Sequence, residues 1–308
     1  MSCAVPSTPA SHGTPTSIAD QAGGVRPRRE DRRSCDLPAR RRRYPSDLSD
    51  TAWARVARFI VRDHPRGGRP CPPQRWREHL NAALYVLRTG CAWRHLPHDF
   101  TVSWSAAHKH FLRWCRAGVW FKALAAVRGE VRARAGRRKR PSAAMMDSSS
   151  VKASPVAGPR GFDGAKKVDG IKRHILVDTA GILVAATVTP ANVQDRAAFP
   201  ALLRKAKRVA PTIAHVWLDK GYTGHTVAES ATQAGVSIDV VSGPKPANGF
   251  QVQPRRWVVE RTNGWINHCR RLDRHYEVTL TAHEGFLYLS QIALLLRRLD
   301  RTQLFDTL

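Results

Sequence analysis

Twice in this chain a short apolar run ends in an aspartate, and that pattern constrains the fold more than any other. Ala143-Ala144-Met145-Met146 runs into Asp147, followed by Ser148-Ser149-Ser150-Val151-Lys152. His215-Val216-Trp217-Leu218 runs into Asp219, followed by Lys220-Gly221-Tyr222. Runs this short, bounded by turn-forming residues, read as buried strands with a carboxylate at the end of each. A third acid, Glu260, lies in a helical stretch among arginines, Arg255-Arg256-Trp257-Val258-Val259-Glu260-Arg261. One aspartate after a strand is ordinarily a turn residue. Three acids on elements able to converge, in a very basic chain, point to a metal site that works on a phosphate backbone.

The charge supports a polyanionic partner. Lysine and arginine number 51 against 24 acidic residues, a net +27, with a sequence pI of about 11.2. Such an excess repels itself in a compact protein, and it clusters here, as expected of a nucleic-acid surface. The six cysteines (Cys3, Cys35, Cys71, Cys91, Cys115, Cys269) are dispersed without a CxxC pair. That spacing argues against a disulfide framework and a structural zinc, and for a reducing compartment. The N-terminus has no apolar signal core, and the most apolar helical stretch, 286–296, is too short for a membrane span. A soluble intracellular protein is expected, with no membrane partner. The glycine-rich stretch at 158–164 lacks Gly-Lys-Ser/Thr, so no nucleotide cofactor is expected either.

Residues 1–43 are rich in small and polar residues and then in arginine, and read as a disordered arm. From Tyr44 apolar residues recur at helical spacing. Ser49 and Ser103 stand as N-caps, Gly90 closes a second helix, and a fourth helix covers 119–134. Residues 44–135 thus form an all-helical, helix-turn-helix-like unit with a basic outer face on the third helix (Lys109, Arg113, Arg116), a candidate DNA-binding domain. A basic linker, 136–142, precedes a change of period. Strands are expected at 143–147, 173–179, 182–189, 215–219 and 237–241, the second and third joined as a hairpin through Ala180-Gly181. Helices fall at 193–209, 226–234, 255–271 and 282–299, and residues 301–308 form a tail. The order β-β-β-α-β-α-β-α is that of a ribonuclease H-like domain (143–300), a mixed five-stranded sheet with flanking helices. In that fold the three acids meet at one end of the sheet.

Phosphodiester cleavage needs an in-line oxygen nucleophile and a stabilised leaving oxyanion, which two hard divalent ions supply together. Mg²⁺ takes oxygen ligands and keeps several waters, so two or three carboxylates suffice. Asp147 is expected to bridge two such ions, Asp219 to hold one and Glu260 the other, the metals offsetting repulsion among the acids. Asp178, also at a strand end, reads as structural. Lys166, Lys167, Lys172 and Arg173 are expected phosphate contacts, with Lys220, Arg256 and Arg261 beside the acids. Trp93, Trp104, Trp114 and Trp120 read as core; Trp257, beside the acids, reads more often as packing, with stacking on a base as its alternative.

Several stretches together carry a family resemblance. They are Tyr44-Pro45-Ser46-Asp47-Leu48-Ser49-Asp50, Asp147-Ser148-Ser149-Ser150-Val151-Lys152 and Gly158-Pro159-Arg160-Gly161-Phe162-Asp163-Gly164. To these add Lys172-Arg173-His174-Ile175-Leu176-Val177-Asp178, Asn192-Val193-Gln194-Asp195-Arg196, Asp219-Lys220-Gly221-Tyr222 and Pro254-Arg255-Arg256-Trp257-Val258-Val259-Glu260-Arg261-Thr262. Over 44–299 the chain resembles a bacterial insertion-sequence transposase of the IS5 family, with a DDE catalytic domain. The resemblance implies Mg²⁺-dependent strand cleavage at the terminal repeats of the element, with Mn²⁺ able to substitute, and transfer of the 3′-hydroxyl ends into target DNA. It assigns the triad to Asp147, Asp219 and Glu260. It also implies double-stranded DNA as partner, self-association on that DNA, and a place in the bacterial cytoplasm at the nucleoid. Arg256 matches the arginine of the related signature Y-x2-R-x3-E-x6-K, whereas Gln253 and Asn267 replace its tyrosine and its lysine. Arg261, Arg270 or Arg271 are then left to hold the transferred strand. Two other outcomes stay open: a silent copy that binds DNA as a repressor, and a nuclease that cuts without joining.

Overall fold

The computed structural model describes residues 43–61, 72–241 and 256–300, without the side chains of Lys220 and Arg256. The arginine-rich arm through residue 42, the glycine-proline break at 67–70, the loop 243–254 and the tail 301–308 lie outside the described residues.

Four helices come first. Helix α1 (Asp50–Ile60) starts at Ser49, whose Oγ accepts from the Ala52 amide at 2.9 Å. Helix α2 (Pro73–Thr89) ends at Gly90, whose φ of +76° is the left-handed conformation glycine adopts without a Cβ penalty. Helix α3 (Trp104–Arg116) is capped by Ser103, and only Ala117 and Gly118 separate it from α4 (Val119–Arg134). The expected helix-turn-helix character is partial. The connection between α2 and α3 spans 90–103 and contains a 3₁₀ turn at Trp93–His95, whereas α4 buries most of one broad side, from Val119 and Trp120 to Val131 and Arg132. Of these helices α3 keeps the exposed basic face, with Lys109, Arg113 and Arg116.

The sheet follows: β1 (Ala143–Lys152), β2 (Gly161–Asp163), β3 (Val168–Asp178), β4 (Leu183–Pro190), β5 (His215–Leu218) and β6 (Ser237–Val240). Helices α5 (Asp195–Val209), α6 (His225–Gln233), α7 (Arg256–Asn267) and α8 (Leu280–Asp300) intervene or follow. Strand β1 is antiparallel to β3 and parallel to β5, β5 is parallel to β6, and β4 pairs antiparallel with the free edge of β3. The order β4-β3-β1-β5-β6 is the ribonuclease H-like arrangement. The sheet has a sixth strand beyond the five expected: part of the glycine-rich stretch forms β2, which pairs with the first residues of β3.

Because side chains alternate along a strand, the two sheet faces are chemically separate. Met145, Ile171, Ile175 and Val177 join an apolar cluster with α7, α8 and the N-terminal helices, whereas Met146, Leu176 and Leu218 join one with α5 and α6. The first cluster changes the expected domain picture. Helices α1–α4 do not close on a core of their own; α8 runs among them, and its Phe286 stacks on Phe111 at 4.2 Å between ring centroids. Leu287, Leu289, Ile292 and Leu296 of α8 belong to the same cluster. Each large side chain so buried contributes about 1.5–3 kcal/mol, so the helical region and the sheet share one source of stability.

Candidate active site

Parity places the first acid. Asp147 lies two residues after Met145, on the face towards α7, and Met146 pairs with Leu218 in the parallel β1–β5 register. Asp147 and Asp219 therefore follow paired residues on adjacent parallel strands. Both line one cleft with Met145, Trp217, Leu218, Val241 and Val259. Helix α7 covers that cleft because Val258, Val259, Thr262 and Ile266 are buried on one of its sides. The hydroxyl of Thr262 donates to the Gly181 carbonyl at 2.7 Å and pins the helix to the β3–β4 turn. Gly181 has φ of +77°, and a Cβ there would lie 3.1 Å from the Thr262 hydroxyl, so turn and helix approach closely because this residue is glycine.

From α7, Asn263 reaches Asp147, its amide 3.5 Å from Oδ2. Glu260 lies one turn before Asn263 and is exposed. The structure thus brings Asp147 and Asp219 into one cleft and carries Glu260 on the helix above it. Among the described residues no three acidic, histidine or cysteine side chains are gathered closely enough to hold a metal ion by themselves. The donor chemistry still suits a hard divalent ion: two carboxylates, an amide oxygen and a further carboxylate are all oxygen ligands. Magnesium is commonly held by one or two carboxylates together with substrate phosphates, and such a site needs no closed protein cage.

The basic residues divide. Lys166 and Lys167 are exposed on the loop after β2. Two expected phosphate contacts are corrected: Lys172 is 9% and Arg173 2% exposed. Lys172 Nζ lies 3.3 Å from Asp195 and 3.7 Å from Asp163, and Arg173 donates to the Leu272 carbonyl and to His283 Nε2. Burial pushes the Arg173 guanidinium down to about 9, and Asp273 and Cys269 partly oppose it. Arg271 is likewise internal, 2.7 Å from Glu277, whereas Arg270 is exposed. Arg261 donates to the Ala180 carbonyl at 3.0 Å and lies over the rings of Trp257 (4.5 Å) and Trp265 (4.7 Å). The side chains of Lys220 and Arg256 lie outside the described residues. Trp93, Trp114 and Trp120 are core as expected, but Trp104 is 38% exposed with Arg94 over its ring. Trp257 is 43% exposed beside Glu260.

Sequence reasoning missed Asn263 and a buried polar set behind the cleft: Ser148, His174 and Tyr222. The period-2 pattern of β1 already held the signal for Ser148, since a residue next to Asp147 must face the opposite layer. Nothing local marked His174. Asp178 has the structural part expected of it, fully buried against Arg132 and two turn amides.

The profile described as "Transposase DDE domain" matches residues 138–296, just over half of the 308-residue chain. A second, "Putative transposase of IS4/5 family", matches residues 48–124. The "Putative transposase for insertion sequence element IS402" of Burkholderia cepacia is 31% identical over 142 residues, which cover 44% of this chain and 66% of that relative, just under two thirds of its length. Among solved structures, the "Mos1 transposase paired-end complex with left transposon end" is 12% identical, covering 57% of this chain and 61% of the other with a TM-score of 0.23. The "Crystal structure of the Mos1 mariner paired end complex with Mn" is 11% identical, covering 80% and 84%, with a TM-score of 0.24. TM-scores so low add nothing to the sheet topology. The profile match does: strand β1 with Asp147 in its middle, its parallel neighbour β5 with Asp219 just beyond its end and the helix bearing Glu260 all fall inside it. By that match the chain belongs to the family of transposases with a DDE domain.

Proposed function

We propose that this protein is a DNA transposase that cuts phosphodiester bonds at the ends of an insertion sequence and joins the freed ends to target DNA, with Asp147, Asp219 and Glu260 as its acidic triad. The register carries this reading: Asp147 and Asp219 follow paired residues of parallel strands and line one cleft, under a helix whose Asn263 touches Asp147. Two divalent ions, Mg²⁺ by the all-oxygen donors and Mn²⁺ as its substitute, supply when bound an activated oxygen nucleophile and a clamp on the departing oxyanion.

The chain's own residues position and bind. Strands β1 and β5 hold Asp147 and Asp219 on a hydrogen-bonded frame, and α7 presents Glu260 from above. In cleavage, a water oxygen bonds to phosphorus as the P–O3′ bond breaks, leaving a 3′-hydroxyl and a 5′-phosphate. In joining, that hydroxyl attacks a target phosphodiester and displaces its 3′-oxygen, so one ester replaces another and no external energy source is needed. The net +27 charge and the exposed Lys166, Lys167 and α3 basic residues suit duplex DNA. The helical region, 44–135, is proposed to hold the terminal repeats, with two copies of the chain bringing paired ends together at the bacterial nucleoid. Among the described residues no helix is long and apolar enough to cross a membrane.

The test is cleavage and joining of a labelled duplex carrying the element's own end, in Mg²⁺ or EDTA. Asp147→Ala, Asp219→Ala and Glu260→Ala should each lower the rate by roughly 10³-fold or more while end binding persists, as loss of several kcal/mol of transition-state stabilisation requires. Cutting without joining would leave a nuclease, and tight binding without metal-dependent chemistry a repressor. Full activity after removal of any one acid would refute this triad.

A further inference from the structure

Four motif stretches to which the proposed chemistry gives little part meet behind the cleft, on the sheet face towards α5 and α6. They are 158–164, 172–178, 192–196 and the end of 219–222. Lys172 joins the first three: its ammonium pairs with Asp163 and Asp195 and donates to the Val193 carbonyl at 3.0 Å. Ser150 donates to Asp163 at 2.7 Å. Next to them His174, with no solvent exposure, contacts the Tyr222 hydroxyl through Nδ1 at 3.1 Å and the Thr189 hydroxyl through Nε2 at 3.0 Å. The Tyr222 hydroxyl also hydrogen-bonds with Ser148.

The connectivity of these contacts matters more than their number. Tyr222 closes the 3₁₀ turn that begins at Asp219, its amide donating to the Asp219 carbonyl at 2.9 Å. Its side chain turns inward and is 1% exposed. Ser148 and His174 are register partners across β1 and β3, and Ser148 directly follows Asp147. One phenol hydroxyl therefore links the turn leaving Asp219 to the strand pair that carries Asp147. Elsewhere this layer is apolar, with Met146, Leu176 and Leu218. A buried hydroxyl and imidazole are costly to desolvate there, whereas phenylalanine would fill almost the same space without that cost.

We propose that Tyr222 and His174 are positioning residues: they lock the Asp219 turn to the β1–β3 pair from the rear of the sheet and so fix the separation of Asp147 from Asp219. The inference rests on the triad reading above. It makes the affinity of the acid pair for divalent ions depend on a hydroxyl that touches neither acid's oxygen ligands. Gly221 packs beside it, since a Cβ there would lie 2.9 Å from Asp195 Oδ2 and require the turn or that carboxylate to shift.

The measurement is Mn²⁺ binding to the full-length protein on end duplex, followed by electron paramagnetic resonance, with thermal stability and metal-free duplex binding recorded alongside. Tyr222→Phe should fold and bind duplex like wild type, yet bind Mn²⁺ roughly 10-fold more weakly, within the range seen when partners of metal ligands are removed. Its cleavage rate should recover at high Mn²⁺. Ser148→Ala, the second variant, should weaken Mn²⁺ binding in the same direction, and it decides the matter if Tyr222→Phe does not fold. Unchanged Mn²⁺ affinity in a folded variant overturns the proposal, as does a rate loss that no Mn²⁺ concentration restores. Asp147→Ala separates the two levels. Should it too bind Mn²⁺ normally, the triad reading fails and the anchor falls with it; should it lose Mn²⁺ while Tyr222→Phe does not, the anchor alone is wrong.

Discussion

Asp147 and Asp178 lie on hydrogen-bonded neighbouring strands, yet their surroundings are opposite. Asp178 pairs in register with Ala144, and Asp147 with Ile175, so the two carboxylates are a few residues apart along one ladder. Asp178 is fully buried; Arg132 pairs with one of its oxygens, and the amides of Ala180 and Ile182 each donate to the other at 2.9 Å. Asp147 is half-buried, faces a cleft it shares with a second aspartate, and has an asparagine amide at the long distance of 3.5 Å. The first arrangement gives both oxygens donors from the fold and encloses them away from any ligand. The second brings like charges to one cleft, a cost that a bound cation offsets. An acid on this ladder is thus classed by its surroundings, enclosed against a guanidinium or open to a cleft.

The largest test of this contrast is to remove each acid in turn. Asp178→Ala leaves the Arg132 guanidinium buried without its partner and two turn amides without an acceptor, and should cost roughly 3–5 kcal/mol of stability in chemical denaturation. Asp147→Ala should change stability by less than about 1 kcal/mol, because the site is half-open and loses repulsion together with contacts. Equal losses from both substitutions would break the comparison.

A smaller effect separates the paired interior charge at Asp178 from the neutral interior imidazoles. His174 and His275 have no solvent exposure, and burial holds both at about 4 against an ordinary 6.5, with Lys172 adding to it at His174 against the opposing Asp195, and Arg173 adding to it at His275. Between those values the unfolded chain takes up protons that the folded chain refuses. Stability is therefore complete above pH 6.5 and falls as the pH drops towards 4, by about 2 kcal/mol per histidine at pH 5. His174→Gln should flatten part of that decline in thermal melts between pH 7 and 5. An unchanged slope would mean that His174 takes up its proton in the fold as readily as in the unfolded chain.

Much of this was legible before the structure. Apolar periodicity located the helices and strands, Ser49, Ser103 and Gly90 marked helix ends through local hydrogen bonding, and the ends of two apolar runs located Asp147 and Asp219. What remained hidden was long-range. The serines after Asp147 have poor strand propensity, yet β1 continues through them to Lys152 because β3 supplies a paired edge. Lys172 and Arg173 look like surface charge in a very basic chain, and only the packing of α5 and the 270–283 segment shows them enclosed. The place of α8 within the N-terminal helices depends on contacts between residues far apart in sequence, such as Phe111 with Phe286. No window of local pattern contains such a pair.

The smallest predicted effect probes Asp147 most directly. Asn263→Asp would set a carboxylate where an amide now stands, 3.5 Å from Asp147 Oδ2. In a half-exposed cleft that repulsion is worth on the order of 1 kcal/mol, the figure for unit charges about 4 Å apart in a water-like dielectric. Without divalent metal the variant should therefore melt slightly below wild type. If the cleft is built for cations, Mg²⁺ should restore that loss, and the rise in Tm on adding Mg²⁺ should be larger for the variant than for wild type. The same charge introduced beside the enclosed Asp178 gains nothing from Mg²⁺, because no cation reaches an acid with no solvent exposure. Equal Mg²⁺ responses in variant and wild type would make Asp147 a structural acid like Asp178 and remove the physical ground for the difference between them.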